Sequence, residues 1–343
     1  MDGGLMARAT SLDVAERAGV SRSAVSRVFT PGASVSKDTA AKVRRAAAAL
    51  GYRPNVLARS LNTGQSRIIG LVVAYLENQF YPEAVERLSK ALQSRGYHVL
   101  VFMASNDSES TQGVIGELLD YQVDGIIAAS VGLGNDLTRR CTDAGIPVML
   151  FNRRQDDPHF SSVTSDNVGG GRQLAEFLIA GEHHRIGHIA GWAGASTQVD
   201  REAGFVGALH AAGMALAVRG AGEFNFARTQ VAARVMFDVD APPDAVFVAN
   251  DHMAFAVMDV LRFELGIEVP GDVSVVGFDD VQLSGWPTYD LTTVRQRANA
   301  MVAQTVDLLL ARIEAPQTPN THACIDAPLI IRGSARLPKG PKT

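Results

Sequence analysis

The sequence predicts an all-α headpiece of short helices followed by a larger α/β core of two similar lobes, each a doubly wound parallel sheet. Three observations carry this expectation. Residues 14–28 read as two short helices joined by a turn at Gly19, apolar runs of strand length alternate with amphipathic helices from Ile68 onward, and basic residues gather at one end of the chain. Residues 1–66 hold ten Lys or Arg against four Asp or Glu, a net of +6, which leaves −10 for the rest of a chain whose overall charge is only −4. A small basic domain ahead of an acidic core marks the first as the part that binds a polyanion.

At about 100° per residue, Val14, Ala15 and Ala18 share one face of the first helix, and Asp13, Glu16 and Arg17 share the other. Thr10 followed by Asp13 supplies a capped start, and Gly19 the permissive backbone that ends the helix. In the second helix Ser21 caps the start, and Ala24, Val25 and Val28 point inward. Arg22, Ser23, Ser26 and Arg27 then project outward together, able to reach base edges and phosphates in a major groove. An ordinary helical hairpin is the plain alternative. A third helix from Ser36 to Gly51 turns Val43, Ala46, Ala47 and Leu50 inward and Lys42, Arg44 and Arg45 to solvent. Beyond it Pro54 precedes a helical stretch that Gly64 ends, and one or two turns of helix over Asn55 to Asn62 are marginal in water by themselves.

In the core, Ile68 to Ala74, Tyr97 to Met103, Gly125 to Ala129 and Pro147 to Phe151 read as strands, with helices over Pro82 to Arg95 and Thr111 to Tyr121. A second set starts near Asp166. Its helices are Gly169 to Ala180, Arg201 to Ala212 and Met253 to Leu265, and its strands are Ile186 to Ala190, Ala245 to Ala249 and Val273 to Gly277. Such alternation demands parallel sheets with right-handed crossovers. Ligands of open parallel sheets bind at the carboxyl ends of the strands, so a pocket is sought in the loops there.

Catalytic and metal readings find little support. His183, His184 and His188 lack spaced Cys or carboxylate partners and are assigned to a solvated loop. Gly169-Gly170-Gly171 is not followed by the Lys-Ser/Thr of a phosphate loop, and close helix packing accounts for it. No G-x-S-x-G elbow stands out. The two cysteines, Cys141 and Cys324, form no CxxC pair and are taken as buried thiols. Residues 1–10 carry no apolar stretch of signal-peptide length, and no run approaches the roughly 18–20 apolar residues of a spanning helix. A cytoplasmic, nucleoid-associated protein that is not an enzyme, needs no cofactor and does not contact membrane is therefore expected.

Val14 to Val28 and Gly51 to Leu61 resemble the lactose/galactose repressor family, whose headpiece carries V-A-x-x-A-G-V-S-x-x-T-V-S-R-V and whose hinge carries G-Y-x-P-N-x-x-A-R-S-L. The likeness continues to about residue 337. It implies a helix-turn-helix headpiece over 1–52, a hinge helix and linker over 53–66, and a periplasmic-binding-protein-like core over 67–337. The first lobe would comprise about 67–165 and 298–325, the second about 166–297 and 326–337, joined by three crossovers.

The function implied is a transcriptional regulator, usually a repressor, that binds a palindromic operator in double-stranded DNA as a homodimer under the control of a small effector. A stand-alone sugar-binding protein is the alternative, weakened by the intact headpiece. The DNA-facing set is Thr10, Arg22, Ser23, Ser26 and Arg27 of the headpiece with Asn55, Ala58, Arg59 and Leu61 of the hinge. Leu61 would wedge between central base pairs in the minor groove. The effector set is Phe80 and Tyr81, Asn152 of Asn152-Arg153, Arg201 of Asp200-Arg201, Phe224, Asn250 of Asn250-Asp251, Asp279 and Trp286. Arg201 is the strongest candidate; Phe80, Tyr81 and Phe224 also fit a core, Trp286 also fits a wedge between the lobes, Asp166-Asn167 reads as a helix cap, and Asp280 reads as a support for Asp279. The many amide and carboxylate groups favour a sugar or sugar derivative over a nucleobase. Thr30-Pro31 replaces the family's usual Asn-Gly, Asn152 its frequent Asp, and no leucine-heptad tail follows Leu337, which implies a dimer rather than a tetramer.

Overall fold

A computed structural model of the chain describes residues 9–30, 33–53, 65–104, 108–130, 140–155 and 160–338. Pro31 and the hinge residues Asn55, Ala58, Arg59 and Leu61 lie outside them. The chain divides into two compact units, residues 1–66 and 67–343.

In the first unit, α1 (Ser11–Ala18), α2 (Arg22–Val28) and α3 (Lys37–Leu50) enclose a small core of Val14, Ala15, Val25, Val43, Ala46 and Ala47. Each helix has its own start signal. Thr10 and Asp13 form a reciprocal capping box, while Ser21 and Ser36 accept from the third backbone N–H of their helices. Gly19 and Gly51 end α1 and α3 in the left-handed region, at φ 64° and 62°. With Thr30 in place of a left-handed residue, α2 ends instead at Phe29, φ −97°, and the Thr30 hydroxyl donates back to the Ser26 carbonyl.

The second unit holds two six-stranded sheets. The first is built on β1 (Ile68–Val73), β2 (His98–Met103), β3 (Gly125–Ala129), β4 (Val148–Phe151) and β5 (Ser161–Ser165), with α4 (Phe80–Ser94) and α5 (Ser108–Asp120) as crossovers. The chain then enters the second sheet through α6 (Asn167–Ala180). There β6 (Ile186–Ala190), α7 (Ser196–Ala211), β7 (Val218–Ala221), α8 (Phe226–Phe237), β8 (Ala245–Val248), α9 (Asp251–Asp259), β9 (Ser274–Asp279) and β10 (Thr292–Arg295) follow in turn. After α10 (Ala298–Glu314), which packs on α4 and β5, the chain adds β11 (His322–Ile325) to the first sheet and β12 (Leu329–Ile330) to the second. The orders are β11-β5-β4-β3-β1-β2, all parallel, and β12-β10-β9-β8-β6-β7, parallel except for the β10–β12 pair. Three passages between the sheets result, at the ends of β5, β10 and β11.

Several elements differ from the sequence reading. Strands β5, β7, β10, β11 and β12 were not legible as apolar runs. In β5, Ser-Ser-Val-Thr-Ser is fully buried, and its hydroxyls find Asn320, His322 and Gln296 across the fold, so hydrogen bonding replaces apolar content. Helix α7 starts at Ser196 rather than Arg201, because its cap, Ala195, offers no capping side chain to mark the start. Helix α9 gives way to a π turn over Val260–Glu264 before Leu265. Cys141 is buried, and burial pushes its thiol up to about 11, but Cys324 on the short strand β11 is exposed. Among the described residues no helix is long and apolar enough to cross a membrane.

Candidate functional site

Helix α2 presents the outward set that its period predicts. Val25 is 1% exposed, whereas Arg22, Ser23, Ser26 and Arg27 all face solvent. The Arg22 Nε donates to Ser11 Oγ at 3.1 Å and the Arg27 Nε to the Ser23 carbonyl at a longer 3.5 Å. Ser21 and Ser23 pair through their hydroxyls at 2.9 Å. Thr10 is exposed but engaged: its backbone and hydroxyl both donate to Asp13, which holds that carboxyl below its usual range.

In the second unit a polar cleft lies between the two sheets, where strand ends from both converge. It is lined by Tyr75, Asn78, Tyr81 and Asn152 on the first sheet's side and Thr197, Arg201, Phe224, Asn250 and Asp279 on the second's. The backbone is bent to aim several of these. Asn152 and Phe224 sit in the left-handed region at φ 58° and 59°, and Asp279 at 131°. Such conformations cost roughly 1–3 kcal/mol each and persist where the surroundings over-determine them. Asn250 is positioned differently. It caps α9, its carbonyl oxygen accepting from Met253 N at 2.9 Å, so that its amide nitrogen is left for the cleft.

Arg201, 2% exposed, is the centre of the second lobe's wall. Its Nε donates to Asn167 Oδ1 at 2.9 Å, its Nη1 to the Ala249 carbonyl at 2.7 Å and its Nη2 to Asp279 Oδ1 at 3.3 Å, and its guanidinium lies 3.7 Å from the Phe278 ring centroid. Asp279 also accepts from Gln296 Nε2 at 2.7 Å and, from the opposite lobe, Asn78 Nδ2 at 2.9 Å. Burial raises the Asp279 carboxyl and lowers the Arg201 guanidinium, each offset by the other's charge. The lobes are further joined at the rim by Arg154, whose guanidinium pairs with Asp200 and whose backbone N–H donates to Ser196 Oγ. These bonds draw the two walls of the cleft together.

Six of the eight effector candidates meet here: Tyr81, Asn152, Arg201, Phe224, Asn250 and Asp279. Phe80 does not. As the first residue of α4 its ring turns into the core, stacked 6.1 Å from Phe151. Trp286 does not either; it follows a 3-10 turn and is half exposed away from the lining. Asp280 supports Arg295 and Arg332 rather than Asp279. Asp251 is fully buried behind the cleft, accepting from Val281 N, Ser284 Oγ and Thr293 Oγ1, and burial, with the charge of Asp279, raises it to about 7. Tyr75 and Thr197 escaped the sequence reading. The rule that pockets form at strand ends would have found Tyr75, just past β1, but Thr197 lies in the part of α7 that carried no start signal.

Of the three histidines, only His184 is exposed in a loop as that reading expects. His183 and His188 are 1% and 0% exposed, and among the described residues no cluster of three His, Cys, Asp or Glu could hold a metal. His188 stacks 4.7 Å from Phe247 and meets the Phe247 carbonyl through Nδ1 at 2.9 Å. Burial lowers it to about 4. Above pH 6.5 neither folded nor unfolded chain protonates this ring; below it the unfolded chain does and the folded does not. His188 therefore withdraws on the order of 3 kcal/mol of stability as pH falls from 6.5 to about 4. Its ring proton shifts in NMR are expected to titrate with a midpoint of about 4, and a midpoint in the ordinary histidine range would show the ring to be hydrated.

Comparison with known proteins adds to this geometry. Residues 10–55 match the family described as bacterial regulatory proteins, lacI family, and residues 157–335 match a periplasmic binding protein-like domain. The HTH-type transcriptional regulator CelR of Thermobifida fusca is 34% identical over 94% of this chain and 96% of its own. A structure described as a transcriptional regulator CelR-cellobiose complex is 32% identical, with a TM-score of 0.72 over 96% of this chain and all of that one. A lac repressor dimer bound to operator and the anti-inducer ONPF is 28% identical, with a TM-score of 0.86 over 96% and 99%.

Proposed function

The chain belongs to the lacI family of bacterial regulatory proteins, DNA-binding transcriptional regulators rather than enzymes, and on that premise we propose how its parts divide the work. It is a repressor that binds a palindromic operator as a homodimer, each recognition helix α2 reading one half-site through Arg22, Ser23, Ser26 and Arg27. Thr10, at the start of α1, meets the phosphate backbone. The hinge residues Asn55, Ala58, Arg59 and Leu61 fold on DNA, Leu61 opening the central base step. The site of action is the cytoplasm, at the nucleoid. Dimerisation also accounts for apolar side chains that one copy leaves in water, among them Val235 and Phe263.

The effector is a sugar or sugar derivative held between the lobes. The observation that carries this is the cleft itself, in which amides, a guanidinium, a carboxylate and hydroxyls converge beside Phe224 and Tyr81, with the complex of a related regulator with cellobiose in support. Closure of the lobes changes the separation of the linkers that lead to the headpieces. A differential of about 1–3 kcal/mol between the two states would change operator affinity roughly 5- to 150-fold.

Selection of operators from random DNA with the full-length protein, followed by binding titrations, tests the DNA half of this reading. Arg27→Ala is expected to cost about 1–3 kcal/mol on the selected operator. Leu61→Ala should weaken specific binding while sparing most nonspecific binding, and equal losses on both DNAs would remove the wedge role. Melting temperature against a panel of sugars, with Phe224→Ala alongside, tests the effector half.

A further inference from the structure

Three arginines stand in or beside the cleft, and their charges are not treated alike. Arg201 is met by Asp279, and Arg154 by Asp200. Arg153, 4% exposed, is met by no carboxylate among the described residues. Its Nη2 donates to Ser130 Oγ at 3.1 Å, its guanidinium lies 5.6 Å from the Trp192 ring centroid, and its Nε has no partner. Arginine does not relieve such a situation by losing its proton, and an indole face offers only the partial negative charge of a ring. A buried cation left in this way carries a large desolvation penalty until an anion arrives.

The neighbouring residue repeats the pattern with the opposite polarity. Asn152 donates through Nδ2 to the Tyr81 hydroxyl at 3.2 Å, but its Oδ1 is buried without a donor. Asn152 lines the cleft. Arg153 adjoins it beside Tyr75 and Ser130, and bridges the lobes, since Ser130 follows β3 and Trp192 follows β6. The guanidinium is thus covered from both lobes. Arg201 is less available for an incoming anion, because Asn167, Ala249 and Asp279 already engage Nε, Nη1 and Nη2.

We propose that the effector is an anionic polyol, a sugar bearing a carboxylate or a phosphate, whose charged group binds Arg153 and whose hydroxyl donates to Asn152 Oδ1. This rests on the reading of the cleft as the effector site and narrows it to one chemical class. The guanidinium fork accepts either anion, so both belong in the test.

The experiment uses full-length protein and matched pairs of probes: glucose with glucuronate, galactose with galacturonate, and glucose with glucose 6-phosphate. Thermal shift and calorimetry are read on wild type, Arg153→Gln and Phe224→Ala. An anionic member should bind about ten- to hundredfold more tightly than its neutral partner, and Arg153→Gln should remove that margin. Whether the uronates or the phosphate bind identifies the anion. In wild type, added salt should weaken the anionic member alone, a measurement that does not depend on the variant's folding. Neutral sugars that bind as well as the anions, are indifferent to Arg153→Gln and are lost in Phe224→Ala would overturn the proposal and leave the cleft reading standing. Binding by neither series, in protein that still holds its operator, would overturn the cleft reading and the proposal with it.

Discussion

Arg201→Ala is expected to destabilise the core unit by about 3–5 kcal/mol, the cost of stripping one partner from a buried ion pair. The substitution leaves Asp279, 3% exposed, without its cation, and removes the donors that satisfy Asn167 Oδ1 and the Ala249 carbonyl. Loss of effector response in this variant would therefore not by itself identify Arg201 as a ligand contact. The double variant Arg201→Met, Asp279→Asn separates the two effects, because removing both charges takes away the stranded one. Its melting temperature is expected to recover much of the loss while its effector response stays absent. A double variant as unstable as Arg201→Ala would place the cost in lost hydrogen bonds and packing rather than in the unpaired carboxylate.

Gly204→Ala is expected to cost about 3 kcal/mol, or roughly 6–12 °C in melting temperature. Helices α6 and α7 meet backbone to backbone. A Cβ on Gly204 would lie 2.0 Å from the Val168 carbonyl oxygen, and one on Gly171 would lie 2.1 Å from that of Arg201. No side-chain rotation relieves a clash with backbone, so the helices must part, and Arg201 moves with α7. The same helix supplies its own control. A Cβ on Gly207 meets nothing within 4 Å, so Gly207→Ala should be neutral or gain up to about 1 kcal/mol in helix propensity. Equal melting temperatures for the Gly204 and Gly207 variants would mean that the two helices do not bear on one another at this point.

The headpiece was legible almost to the residue because its determinants are local. A cap, an apolar face with a period of 3.6 and a left-handed glycine each act within one turn of helix, and Thr10, Ser21, Ser36, Gly19 and Gly51 all do what their residue types favour. The buried strands β3 and β6 were equally plain as short apolar runs. Strand β5 was not, since its serines are tolerated in the interior by partners more than a hundred residues away.

The cleft divides the same way. Six effector candidates could be named from motifs at strand ends. Phe80 and Trp286 carry side chains equally suited to a ligand, and only the way α4 starts and the 3-10 turn ends sends one into the core and the other to the surface. His183 and His188 are polar residues whose burial depends on elements distant in sequence, such as the Phe247 carbonyl opposite His188. Periodicity, capping and charge segregation are properties of neighbouring residues, and from them the sequence by itself determined the headpiece, the α/β core and the location of the pocket. Pairing across the cleft is not. That Arg201 is neutralised by Asp279, Arg154 by Asp200 and Arg153 by nothing among the described residues was decided by the tertiary structure, because only folding brings together charges that the chain holds tens of residues apart.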